Sequence, residues 1–215
     1  MITAADVAAR LRNIRGVPGR RTVRRAISRE IRGEGGRAVL ALGRAVAADG
    51  APAWIGYELI LNHKEAFALL TPAIVEDLGQ GMDTWDKVDT FGMTIAGLAW
   101  RAGLVSDATI ARWARSADRW WRRAALVATV PLNTAATRTG DAMRTLTICE
   151  MLVADRDDMV VKAMSWSLRS LSVRDRSAVE QFITRHGPTI AARVRREVGN
   201  KLRTGVKNPK AGRRS

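Results

Sequence analysis

A chain of 215 residues can bury a substantial core, and it fits one domain or a run of repeats better than two independent domains. Its 36 Lys and Arg against 21 Asp and Glu leave a formal charge of +15, which favours a polyanionic partner. One cysteine, Cys149, excludes an internal disulfide framework, and the two histidines, His63 and His186, lie too far apart for metal-ligand spacing, so neither metal nor cofactor is expected. The opening stretch MITAADVAARLRNIRG has no apolar signal region, and the longest apolar run, AALVATVPL, is too short to span a bilayer. A soluble cytoplasmic protein with no membrane segment is expected.

Helical periodicity runs through almost the whole chain, with little of the alternation that marks strands. Breaks at RGVPGR, residues 49–52, LTP, GQGMD, LVSD, SAD, TRTGD, ADRDD and RHGP predict helices mostly of ten to eighteen residues. Start signals stand at Asp49 and Gly50 before Pro52, at Asp83 before Trp85, at Asp118 before Trp120, and at Asp157 or Asp158 before Val160. The anchors Trp54, Trp85, Trp120 and Val160 are 31, 35 and 40 residues apart, with a second helix inside each interval. That spacing predicts an all-α chain of irregular helix-pair repeats, a HEAT-like α-solenoid with one long curved surface free.

In chain order, the first charged feature is a run of eleven arginines from Arg10 to Arg44. The basic end VRREVGNKLRTGVKNPKAGRRS is its counterpart. Both are candidates for phosphate contact; the alternative is a solvated arginine-rich face. Residues 1–203 are read as one domain, and 204–215, without apolar pattern, as a disordered basic tail.

In MDTWDKVDTFGMTIAG, Trp85 and Asp89 stand at i and i+4 and share a helix face. Gly92 and Ala96 continue that line, which predicts open space beside ring and acid, while Val88, Phe91, Ile95 and Leu98 form the neighbouring aliphatic stripe. The plainer alternative makes Trp85 a core ring and Asp89 a surface carboxylate. In ARSADRWWRRAALVATV, Arg123 is the lone charge on the stripe Trp120, Arg123, Val127 and Val130. A guanidinium there must meet a carboxylate, a phosphate or solvent, with phosphate contact the functional reading and an internal acid the plainer one, and Arg119 and Arg122 lie on the adjacent strip as point charges for a DNA backbone. In DDMVVKAMSWSLRSLS, Val161, Met164, Leu168 and Leu171 form the aliphatic face. Trp166 lies nearly opposite, between Lys162 and Arg169. Such a ring either packs on a neighbouring repeat or faces nucleic acid, with the cations on phosphate.

Three segments in order, TWDKVDTF, SADRWWRRAAL and VVKAMSWSLRSL, resemble the AlkD family of DNA alkylation repair glycosylases over roughly residues 50–200. The arginine-rich N-terminus resembles the family only loosely. The resemblance implies a right-handed solenoid of HEAT-like repeats with a concave basic face, acting as a monomer on double-stranded DNA that contains alkylated bases, and nucleoid-associated while bound. It implies that Asp89 is the catalytic carboxylate, that Trp85 and Trp166 contact the sugar, and that Arg123 binds phosphate. Trp121 and Lys87 depart from the family pattern, as does the compact chain, and bear on substrate range.

The implied reaction is hydrolysis of the N-glycosidic bond of a cationic purine, of the 3-methyladenine or 7-methylguanine type, as the first step of base excision repair. A cationic base leaves without a general acid, so a carboxylate that stabilises the charged sugar is enough. The open surface implied by the resemblance makes lesion charge, rather than a flipped base in a deep pocket, the expected basis of recognition. The alternative is a non-catalytic HEAT-like scaffold for nucleic acid or protein, which would tolerate loss of Asp89.

Overall fold

Local signals in the sequence set the helices, and most of the caps can be read directly from them. The computed structural model describes residues 2–48, 52–134, 138 and 140–209, and every regular element among them is helical. The chain divides into two compact units, Met1–Val105 and Ser106–Ser215.

In the first unit, Thr3 caps α1 (Ala4–Leu11) in a reciprocal capping box with Asp6. Next come α2 (Gly16–Glu30), a tight turn at Ile31–Gly33, α3 (Gly36–Ala48) and α4 (Ala53–Leu61). The short α5 (Lys64–Ala68) and α6 (Pro72–Leu78) are cut out by side-chain caps from His63 and Thr71 and by Pro72 at the first turn, so they fall below the expected ten residues. α3 and α4 pack closely because Gly43 and Gly56 meet backbone to backbone. A Cβ on Gly56 would collide with the Gly43 carbonyl oxygen. That approach sinks Ile55, Leu59 and Ile60 into the core and leaves Trp54 and Glu58 at its edge.

The last helical run of this unit is α7 (Trp85–Phe91), a π-helical segment Gly92–Ala96 and α8 (Gly97–Arg101). The expected stripe holds at Val88, Phe91 and Ile95, all fully buried. It then slips: Ala99 and Trp100 are buried while Leu98 is only half-buried. The wider π turn advances the register and is the physical reason for the slip. Gly92 and Ala96 are also buried, so the space expected beside them is filled. Trp85, Asp86 and Lys87 are exposed in the first turn, and Asp89, Thr90, Met93 and Thr94 are half-buried after it. Thr84 rather than Asp83 occupies the N-cap position of α7; Asp83 instead pairs with Lys87 at 2.8 Å.

The second unit holds α9 (Asp107–Ala114), α10 (Arg119–Val127), α11 (Ala142–Met151), α12 (Asp158–Leu171), α13 (Arg176–His186) and α14 (Ala192–Thr204). Asp118 caps α10 and Asp157 caps α12, as the start signals predict. α12 is the central helix, packed against α10, α11 and α14. Its stripe of Val161, Met164, Leu168 and Leu171 is buried. Small polar residues fill its other inward positions: Ser167 and Thr129 share a 2.6 Å hydrogen bond, and Ser165 donates to Glu197 at 2.6 Å. No helix among the described residues is long and apolar enough to cross a membrane. The start signal at Asp49 and Gly50 and the last six residues of the expected tail lie outside the described residues.

Candidate functional site

Asp89 sits one turn into α7, half-buried, on the wall of a cleft of about 340 Å³ in the first unit. The cleft is lined from α7 and its π continuation by Asp89, Thr90, Met93 and Thr94, from α4 by Trp54 and Glu58, and from α2 by Val17 and Arg21. Trp85 stands one turn before Asp89 with 58% of its surface exposed, the largest exposed ring among the described residues. This arrangement excludes the plainer reading of Trp85 as a core residue. The core ring of this run is Trp100, 1% exposed.

Two groups in the cleft escape a reading that looks at each helix alone. Trp54 and Glu58 repeat, 31 residues earlier, the Trp-x-x-x-acid spacing of Trp85 and Asp89, and that repetition is the signal by which sequence reasoning could have found them. Arg21 reaches over the Trp54 ring at 5.9 Å and approaches Glu58 at 3.9 Å. Arg24 Nε lies 2.7 Å from Glu58 Oε2, close enough for an ion pair but off the line of a hydrogen bond, so both of these buried atoms lack a hydrogen-bond partner. Glu58 is thus a carboxylate neutralised by two guanidinium groups, while Asp89 faces the same space from the opposite helix. Trp54 and Thr90 also line a neighbouring cleft of about 440 Å³, together with Tyr57, Met82, Asp86 and Lys87. Burial pushes the Tyr57 phenol up to about 12, and its hydroxyl donates to the Leu78 carbonyl at 2.8 Å.

In the second unit the predicted residues fall into three groups. Trp166 is half-buried and lines a cleft of about 300 Å³ with Val130, Asn133, Arg169, Ser170 and Lys201, opposite the aliphatic face of α12. Its two predicted cationic neighbours are both engaged. Lys162 pairs with Asp158 at 2.7 Å, and Arg169 donates to Ser165 Oγ at 3.2 Å. Burial pushes the Arg169 guanidinium down from its usual value, with the nearby Glu197 carboxylate acting against it.

Arg122 and Arg123 are used inside the unit. Arg122 bonds Asp155 at 2.8 Å and the carbonyls of Ser116 and Ala117, an internal anchor rather than the free point charge expected of it. Arg123 is 5% exposed and donates to the Met159 carbonyl, tying α10 to the first turn of α12. It also lies near enough to Asp158 to add, after Lys162 and Arg193, to the charges that hold that carboxyl below its ordinary range. A charge so placed has its partners within the protein, which is the internal alternative its stripe position allowed. Arg119 is different: its side chain is half-exposed, stacked 4.7 Å over Trp120 and 3.6 Å from Asp157.

An all-helical, strongly basic protein that sets a carboxylate on the wall of a cleft lined by an indole, with a second, exposed indole one helical turn before that carboxylate, has the makings of an enzyme acting on a polyanion. The family model described as DNA alkylation repair enzyme matches residues 21–202, and the chain belongs to that family. No curated protein matches it. Membership bears out the resemblance carried by the three tryptophan-containing segments and supports a role in the repair of alkylated DNA.

Proposed function

We propose that the protein is a DNA glycosylase that removes positively charged alkylated purines, of the 3-methyladenine and 7-methylguanine type, from duplex DNA by hydrolysing the N-glycosidic bond. The observation that carries this reading is half-buried Asp89 on the wall of the Trp54 cleft with exposed Trp85 one helical turn before it. As the bond to the cationic base breaks, positive charge builds at C1′ and O4′ of the sugar. A carboxylate fixed beside it lowers that barrier electrostatically, and Asp89 also orients the water that adds to C1′. The departing base takes the bond's electron pair and becomes neutral, so no acid is needed. The indole of Trp85 offers its negative face to the sugar as charge develops. Trp166, half-buried on its own cleft, is proposed as a second ring contacting the DNA, flanked by Arg169.

Among the second unit's cations, Arg119 is the best placed for phosphate, with Lys162 able to exchange its exposed Asp158 partner for one. Arg122 and Arg123 serve chiefly by holding α10 and α12 in position. Stacking of the helix pairs into a HEAT-like solenoid with a basic concave face belongs to this proposal and is supported by the repeat-length spacing of the tryptophan anchors. So do action as a monomer and a cytoplasmic, nucleoid-associated location. The test is incubation with duplex DNA containing 7-methylguanine, followed by detection of free base and abasic sites. Asp89→Asn keeps the size of the side chain and removes its charge, and release should fall on the order of 10²-fold with duplex affinity nearly intact. A preference of the native protein for neutral lesions such as uracil or hypoxanthine would overturn the reading.

A further inference from the structure

A larger cleft of the first unit is separate from the one that holds Asp89. It has a volume of about 610 Å³ and is lined along α2 and the turn after it by Arg24, Arg25, Ser28, Arg29 and Arg32. Asn62, His63, Lys64 and Glu65, at the junction of α4 and α5, form its other wall. The α2 side is anchored by Ile27 and Ile31, both buried, which leaves the arginines pointing away from the core. The sequence distributes them unequally. Arg24 turns inward to Glu58, Arg20 donates to the Ile14 carbonyl, and Arg10 takes both oxygens of Glu30.

Arg25, Arg29 and Arg32 are exposed, and among the described residues none of them has a carboxylate partner within ion-pair distance. The one acid of the cleft, Glu65, accepts a hydrogen bond from the Gly36 backbone N–H at 3.2 Å. Inside the second wall, His63 Nδ1 accepts from the Ala66 N–H, which directs any ring N–H to Nε2. Four cationic side chains, Arg25, Arg29, Arg32 and Lys64, are therefore held together with one acid already engaged. Mutual repulsion makes such a cluster costly unless an anion completes it. The seven steps from Arg25 on α2 to Arg32 in the turn after it rise ~10 Å, about the length of three base-pair steps of duplex along one strand.

The Arg24–Glu58 pair joins this cleft to the other, since Arg24 lines the first and Glu58 the second. We propose that Arg25, Arg29, Arg32 and Lys64 form a phosphodiester rail that grips about three consecutive phosphates of one DNA strand beyond the lesion cleft. The rail depends on the reading of the protein as a duplex-binding repair enzyme, but it concerns binding and not bond breakage. It gives the arginine-rich N-terminus a defined task. The wide mouth suits a chain of phosphates sliding in from solvent better than a small enclosed anion, and backbone contact of this kind carries no base sequence information.

The experiment measures affinity of the full-length protein for an undamaged DNA duplex by fluorescence anisotropy across a salt series. Arg25→Ala/Arg29→Ala/Arg32→Ala should make the slope of log affinity against log salt shallower by about two to three units, at about 0.9 per lost phosphate. The triple Arg→Lys variant should restore most of the slope, because an ammonium still meets phosphate as a point charge. Single-turnover release of 7-methylguanine at saturating protein should stay within about twofold of the native rate. An unchanged slope in the Ala variant overturns the rail, as does a loss confined to duplex RNA. A native protein that binds duplex but releases no base would sink the glycosylase reading and leave the rail standing.

Discussion

Replacing Trp85 by alanine separates a ring that works at the surface from one that holds the fold. A tryptophan fully withdrawn from water removes roughly 150–250 Å². With 58% of Trp85 exposed, about 80 Å² is withdrawn, an upper limit of about 2 kcal/mol at ~25 cal/mol/Å². The ring stands on the first residue of α7, where alanine's better helix propensity returns roughly 0.5 kcal/mol. The net loss is about 1.5 kcal/mol, or about 3–6 °C in Tm for a chain of this size. Trp100→Ala empties a site only 1% exposed and should cost about 3–5 kcal/mol. Base release should show the reverse order among folded variants. Losing an indole face beside a developing cation removes about 1–2 kcal/mol of transition-state stabilisation, a roughly 5- to 30-fold slower single turnover for Trp85→Ala. Thermal melts alongside single-turnover release from a 7-methylguanine duplex make both measurements. If Trp85→Ala melts as early as Trp100→Ala, the ring is structural; if it melts normally and releases base at the native rate, it has no place in the reaction.

Trp166→Ala should fall between those cases, losing more stability than Trp85→Ala because its ring is half-buried, while Trp166→Phe keeps most of both stability and excision; equal excision by all three forms would remove Trp166 from DNA contact. Arg123→Ala removes the guanidinium that ties α10 to the Met159 carbonyl and should lower Tm by more than Arg119→Ala does, whereas Arg119→Ala should be the one that flattens the salt dependence of duplex binding by about one unit. Tyr57 is the chain's only tyrosine, so its absorbance titration is clean: the phenol should ionise near pH 12 in the folded protein and near 10 once unfolded. Between those values the unfolded chain holds fewer protons than the native one, so the stability due to the neutral phenol is complete below about pH 10 and is lost as pH rises towards 12; a native midpoint near 10 would contradict the burial.

What could be read in the sequence followed the range of the interaction. The caps at Asp118 and Asp157 act over two or three residues, so their residue types announced them, and the buried stripe of α12 needed only helical period. Arg122 was misjudged because the carboxylate that takes it, Asp155, lies 33 residues away, and no helix wheel shows that meeting. Leu98 was misjudged for another reason: a constant 3.6-residue period has no place for a π turn, and the error begins after Ile95, where the turn has run its course. Of the proposed lesion site, Trp85 and Asp89 were visible because they lie on one helix. Trp54 and Glu58 come from α4 and Arg21 from α2, and the close contact of Gly43 with Gly56 helps to set where α4 contributes its two.

The π segment between Asp89 and the buried Trp100 makes the number of residues there matter as much as their identity. Its extra residue works as a spacer that fixes the angular phase between the outward-facing end of the run and the inward-facing end. Closing this turn to the α form with all its residues kept would turn Trp85 and Asp89 by about 100° relative to Ala99 and Trp100, whereas removing one residue from Gly92–Ala96 would let the helix close with that phase nearly kept. In the first case every side chain of the cleft would still be present, and the carboxylate would face the wrong way. The wide turn has already absorbed one residue, so a codon lost there leaves the aim of Asp89 largely untouched, while a further codon gained, with no second wide turn to absorb it, swings it away, and inheritance of the site is a matter of reading-length as well as of chemistry.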